Sequence, residues 1–296
     1  MTKHLLSIVA LIALSFATQA QSVIDAEDSR NPNDFYQKGI VVGKRAMPYP
    51  FIRESDVVWK TVIWRTIDLN EKFNQFFYFP LSAEGGTQGR INLVNLLVNA
   101  ARNGEFEVFD DDDMTTPLDW EKAMLILAGA PYEKDVLAYD ENGEIIYDED
   151  GEETYVKELQ TPTFDSSTAT KVHLKEYWYI DKQDTRQKVR IVGLSFSFTK
   201  EVRGEPTPAQ SFWVPMDYMT VRQVLVNANA YDENNDVMER SYDDVFIQRY
   251  FDSYITRESN TYNRAISQYL TGEDAILQSQ LIEDKIFDIE NDMWEY

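Results

Sequence analysis

The stretch 53–80, RESDVVWKTVIWRTIDLNEKFNQFFYFP, carries two tryptophans five residues apart, Trp59 and Trp64, among closely spaced apolar positions. Read at helical period, residues 55–69 place Val58 over Val62 and stack Trp59, Ile63 and Ile67, with Val57 and Trp64 widening the face. The spacing therefore predicts a helix, open to two roles: a core element or a partner-binding surface. An aromatic run, Phe76-Phe77-Tyr78-Phe79, closes the stretch at Pro80.

Downstream the period alternates. Residues 91–102, INLVNLLVNAAR, read as a helix stopped at Gly104, and 105–109 as a short strand. Thr116-Pro117-Leu118-Asp119 has the order of an N-cap, a first-turn proline and an acid, predicting a helix over 118–128 that ends at Gly129. Residues 136–159 hold three short alternating runs separated by acidic turns at 140–143 and 148–151, the pattern of a meander or long hairpin. The clearest hairpin pairs 172–180 with 187–198. Residues 205–208 read as a breaker, 211–214 as a strand and 217–227 as a helix with Val221, Val224 and Leu225 inward. From Ser241 on, the pattern predicts helices: a capping box at Ser241 and Asp244, a second helix capped by Ser259 and stopped at Gly272, and a last one over 273–295. In that last helix Ser279, Ile282, Ile286, Ile289 and Met293 share a face; it either packs at home or is lent to a partner.

These elements predict an α+β fold: a mixed α/β core with antiparallel hairpins and a helical C-terminal region. The expected organisation is a signal peptide at 1–20, an extended arm at 21–50, the core at 51–230 with an acidic excursion at 136–159, and the helical region at 231–296. The arm has turn chemistry at 29–34 and a stiff Met47-Pro48-Tyr49-Pro50, fitting either a mobile leader or a docking segment.

Lys3, an apolar run over 5–17 and Thr18-Gln19-Ala20 form the pattern of a cleaved secretory leader, too short to span a bilayer. No cysteine follows for acylation, so the expected product is soluble after export, without its own membrane anchor. A net charge of −23 argues against nucleic acid and anionic lipid surfaces as partners.

The absence of cysteine removes thiolate nucleophiles, disulfides and Cys-ligated zinc. Beyond the leader His173 is the only histidine, and it sits in an alternating strand as a sheet-surface residue, which leaves no multi-histidine metal site. Acidic clusters at 110–113, at 148–151 and at Asp232-x-Asn234-x-Asp236 invite a calcium reading. The last has Val237 where the loop needs glycine, and solvated acidic loops are the simpler account. No catalytic residue, cofactor site or metal site is therefore expected. Candidate interface residues are Trp59 and Trp64, with Arg249, Tyr250, Phe251, Tyr254 and Arg257 in the aromatic C-terminal block. Tyr and Arg dominate binding energy when desolvated at an interface centre, and the same residues also suit an intramolecular cage.

The segment PYPFIRESDVVWKTVIWRTIDLNEKFNQFFYFP resembles the opening of the GldN/PorN family of gliding motility and type IX secretion in Bacteroidetes. EVFDDDD at 107–113, HLKEYWYIDKQ at 173–183, RIVGLSF at 190–196 and the C-terminal run from SYDDVFIQRYFDSYITRESNTYN are similar to the same family. The resemblance implies a non-enzymatic periplasmic structural protein. It would self-associate in a ring with an outer-membrane lipoprotein of the GldK/PorK type, and meet the periplasmic parts of inner-membrane motor proteins. The alternative is a secreted acidic enzyme or a calcium- or glycan-binding protein.

Overall fold

Val57–Asp68 is a strand, not the helix expected over 55–69. Seven of its twelve residues are Val, Ile or Thr, whose branched side chains favour a pleated surface. The strand is flanked on both edges and buried on both faces toward its end. Its apolar positions therefore follow no strict alternation and imitate a helical period.

The computed structural model describes residues 43–81, 90–137, 155–160, 163–202, 205–231 and 240–292. The chain divides into units Met1–Gly43 and Lys44–Tyr296, and the fold described is the second. Its strands in chain order are β1 (Val57–Asp68), β2 (Val108–Phe109), β3 (Pro117–Leu118), β4 (Tyr132–Leu137), β5 (Tyr155–Gln160), β6 (Ala169–Asp181), β7 (Arg186–Val202), β8 (Glu205–Gln210), β9 (Val214–Pro215) and β10 (Tyr254–Glu258). The helices are α1 (Gln75–Tyr78), α2 (Leu93–Arg102), α3 (Trp120–Leu127), α4 (Met219–Asn227), α5 (Tyr242–Gln248) and α6 (Glu273–Asp292). The α+β class agrees with the pattern of the sequence.

The main sheet is antiparallel, in the order β10-β1-β6-β7-β8, with β9 also pairing β7. The β6–β7 hairpin forms where alternation is strongest. One sheet face carries Ile67, Val172, Leu174, Leu194, Phe196 and Phe198 into the main core, which includes Leu93 and Leu97 of α2, Val221 and Leu225 of α4, and Tyr242 and Phe246 of α5. A second, smaller core joins Ile63 and Ile255 to Ile282 and Ile286 of α6.

Several local expectations shift. The predicted proline start at Pro117 is a two-residue strand against Val108–Phe109, and Asp119 is the residue that precedes α3. The supposed breaker at 205–208 is the edge strand β8. Proline cannot donate to a ladder, so Pro206 and Pro208 fit where the backbone points away from β7. In the C-terminal stretch Tyr254–Glu258 is strand β10, and the helix expected from Ser259 is only a short turn at Ile266–Gln268. The capping box at Ser241 does form: its Oγ accepts from the Asp244 amide, while Asp244 accepts from the Ser241 amide. β4 and β5 pair as the base of the acidic excursion. Its turns, the Asp232–Asp236 motif, the leader and residues 21–42 of the arm lie outside the described residues.

The arm's last residues, 44–50, lie on α4. The Ala46 amide donates to Gln223 Oε1 at 3.2 Å, and Arg222 donates to the Met47 carbonyl. The Tyr49 ring lies between Arg222 and Arg190, whose guanidinium carbons are 4.2 and 4.9 Å from its centroid. Burial pushes the Tyr49 phenol up, against the pull of Arg222. Arg222 in turn makes two 2.9 Å bonds to the Asp243 carboxylate, so the segment rests on a buried ion pair between α4 and α5.

Candidate interaction surfaces

The two faces of the β1–β6 pair each carry a charge cluster. On the core face Glu176 is fully buried, in register with Ile63. It accepts from Arg249 Nη1 at 2.8 Å and Nη2 at 3.2 Å, and from the Trp178 indole at 2.9 Å. Arg65 Nε lies 3.5 Å away without hydrogen-bond geometry, while Arg65 Nη2 reaches Glu283 of α6 at 2.9 Å. A carboxylate removed from water is tolerated in a fold only where cations and donors surround it in this way. Arg249 can reach it because it ends α5 in the left-handed region, at φ 53°, a geometry unusual for a residue with a side chain. Its guanidinium also stands 5.5 Å from Trp178 and 5.4 Å from Phe251.

On the opposite face Trp64 is flanked by two cations. Arg257, its cross-strand neighbour on β10, lies 3.5 Å from the ring centroid, and Lys175 on β6 lies 5.5 Å away. The aspartate run folds over them. Asp112 accepts from Trp64 Nε1 at 3.0 Å and Arg257 Nη2 at 2.5 Å, and Lys175 donates to Asp113 Oδ1 and the Asp112 carbonyl, both at 2.7 Å. Asp111 closes its own loop by accepting from Thr115 and Thr116, and the Thr115 hydroxyl holds its carboxyl below the usual range. Two acids of the run thus face protein cations. Among the described residues no group of His, Asp and Glu is arranged to hold a metal.

His173 accepts or donates at both ring nitrogens, 3.0 Å from Thr66 Oγ1 and 2.6 Å from Ser197 Oγ. Burial, then the charge of Lys171, lowers its pKa to about 4, so it is neutral near pH 7 and bridges β1, β6 and β7. Hydroxyl partners satisfy either neutral tautomer.

The candidate interface residues fall in different places. Trp59 is half-buried in β1. Arg249 and Arg257 are engaged in the two clusters, with Trp64 in the second. Phe251 is buried against Phe77 and Phe246. Tyr254 is exposed and bonds Lys171 at 3.2 Å, which raises the lysine's pKa. Tyr250 is exposed too, its ring 4.9 Å from Phe73 and 4.0 Å beneath Arg240. Phe73, Phe76, Phe79 and Tyr250 line a cavity of about 840 Å³ that the sequence marked only through its aromatic run. Glu176 was not distinguishable among 51 acids: its role rests on contact with Arg249, far along the chain.

A family model described as gliding motility associated protein GldN matches residues 52–295. No curated protein matches.

Proposed function

The chain belongs to the GldN family of gliding-motility-associated proteins, and from that premise we propose that it is a structural, non-enzymatic component of the type IX secretion and gliding machinery. In this reading the leader is cleaved after Ala20, and the protein joins an outer-membrane lipoprotein in a periplasmic ring. The carrying observation is the extent of the family match, which spans β1 through α6. The side-chain chemistry supports it. Glu176, Asp112, Asp113 and His173 are engaged with neighbours across the sheet, an arrangement suited to holding a scaffold rigid. Large aromatic side chains at Phe73, Phe79 and Tyr250 remain exposed for contact.

Solubilised envelopes provide the test. The protein should co-purify with a lipoprotein in ring-shaped particles under electron microscopy, and its deletion should abolish gliding and type IX export together. A protein that purifies from the envelope only as a lone monomer, with normal motility in its absence, overturns the proposal.

A further inference from the structure

Helix α6 carries apolar side chains well beyond the side that it packs. Ser279, Ile282 and Ile286, spaced by three or four residues, face the sheet beside β10. Outside that side Ile276 and Phe287 on one flank, and Leu277 and Leu281 on the far side, are 62 %, 61 %, 49 % and 60 % exposed. One apolar side suffices to dock a surface helix, and four large exposed side chains together exceed the scattered exposure normal at a surface.

Charge narrows what fits there. Helical spacing puts Asp284 between Leu281 and Phe287, three residues from each, and Asp288 one turn further on beside Leu281. The helix's single cation, Lys285, reaches Glu258 at 2.9 Å. Any cover that buries Leu281 and Phe287 also takes water from Asp284 and Asp288, and a desolvated carboxylate is tolerated only opposite a cation. A second copy of α6 would oppose acid with acid, and an anionic lipid surface would do the same. A convex helix whose side chains repeat at i and i+4 offers ridges that pack with those of another helix.

We propose that this side of α6 docks a cationic amphipathic helix of a partner protein. Its apolar side chains would lie on Leu281 and Phe287, and its Lys or Arg opposite Asp284 and Asp288. The inference rests on the assembly reading and gives that assembly one contact face.

The probe is a labelled synthetic Leu/Lys amphipathic helix, titrated into the full chain beside a scrambled peptide of equal composition. Ile276→Gln with Leu281→Gln and Phe287→Gln should weaken binding about tenfold or more while leaving the melting temperature in place. Asp284→Lys with Asp288→Lys should shift preference to a Leu/Glu helix. Equal binding of the scrambled peptide, equal binding by the variants, or loss in the Gln variant of a self-association or of adsorption to anionic vesicles overturns the proposal. Ring particles recovered in normal yield from cells carrying only the Gln variant also overturn it, and leave the assembly reading standing. Absence of rings in wild-type envelopes sinks that reading instead.

Discussion

The Arg257 guanidinium lies 3.5 Å from the centre of the Trp64 indole while its Nη2 holds Asp112 at 2.5 Å. One side chain thereby joins the edge strand, the central strand and the aspartate loop. Both charged groups are partly exposed, so a double-mutant cycle between Arg257→Ala and Asp112→Ala should give a coupling of about 1 kcal/mol in urea unfolding. Strict additivity would mean that Lys175 and the Trp64 indole hold the loop without help from Arg257.

Glu176 is the more costly residue to change. Glu176→Gln leaves the buried Arg65 and the partly exposed Arg249 beside a neutral amide. Because Arg249 keeps contact with water and Arg65 keeps Glu283, unfolding free energy should drop by about 2–3 kcal/mol. Replacing the three together by Leu and Met should recover much of that loss. Chemical denaturation of both variants checks it; a loss below 1 kcal/mol for Glu176→Gln would show that the pair stays hydrated.

His173 gives the fold a pH dependence with a defined sign. Its folded pKa of about 4 lies below the ordinary 6.5, so as pH falls the unfolded chain takes up the proton first. Its contribution is complete above about pH 6.5, declines through the interval down to about 4 and is flat below, on the order of 3 kcal/mol in all. The difference between wild type and His173→Gln isolates it from the carboxylates. An imidazole that titrates near 6.5 by NMR contradicts the geometry.

Ser279 is small but placed where nothing else can serve. Its buried hydroxyl accepts from the Ile255 amide at 3.0 Å, so Ser279→Ala should cost about 1–3 kcal/mol and speed hydrogen exchange at Ile255. Unchanged protection there would mean that the amide has another partner.

Much of the fold was legible because local pattern and tertiary role agree. The β6–β7 alternation, α2 with its stop at Gly104, α4, α6 and the Ser241 capping box all carry their signal within a few residues. β1 reads as a helix because Ile63 and Ile67 enter the two cores from one face while Trp64 and Thr66 are engaged on the other, so no polar side marks its period. β8 was hidden by prolines that only an edge tolerates, and β10 by its five-residue length. Trp64, Arg249 and Arg257 could be singled out by type, but their partners Asp112 and Glu176 come together only through strand register. The exposed side of α6 was masked by the stronger signal of its buried side.

The two outer strands of the main sheet differ from ordinary free edges. Beyond β10 the Ile255 amide is taken by Ser279 and Arg257 bridges Ala265; along β8 the prolines at 206 and 208 offer no amide. Strand addition by another chain is therefore obstructed at both ends. Copies associating as proposed are thus kept from extending the main sheet as a continuous cross-chain ladder, the geometry that runs on into fibres. In the proposed assembly they would join through side chains, whose contacts fix a rotation between neighbours, and a repeated rotation is what allows an assembly to close on itself.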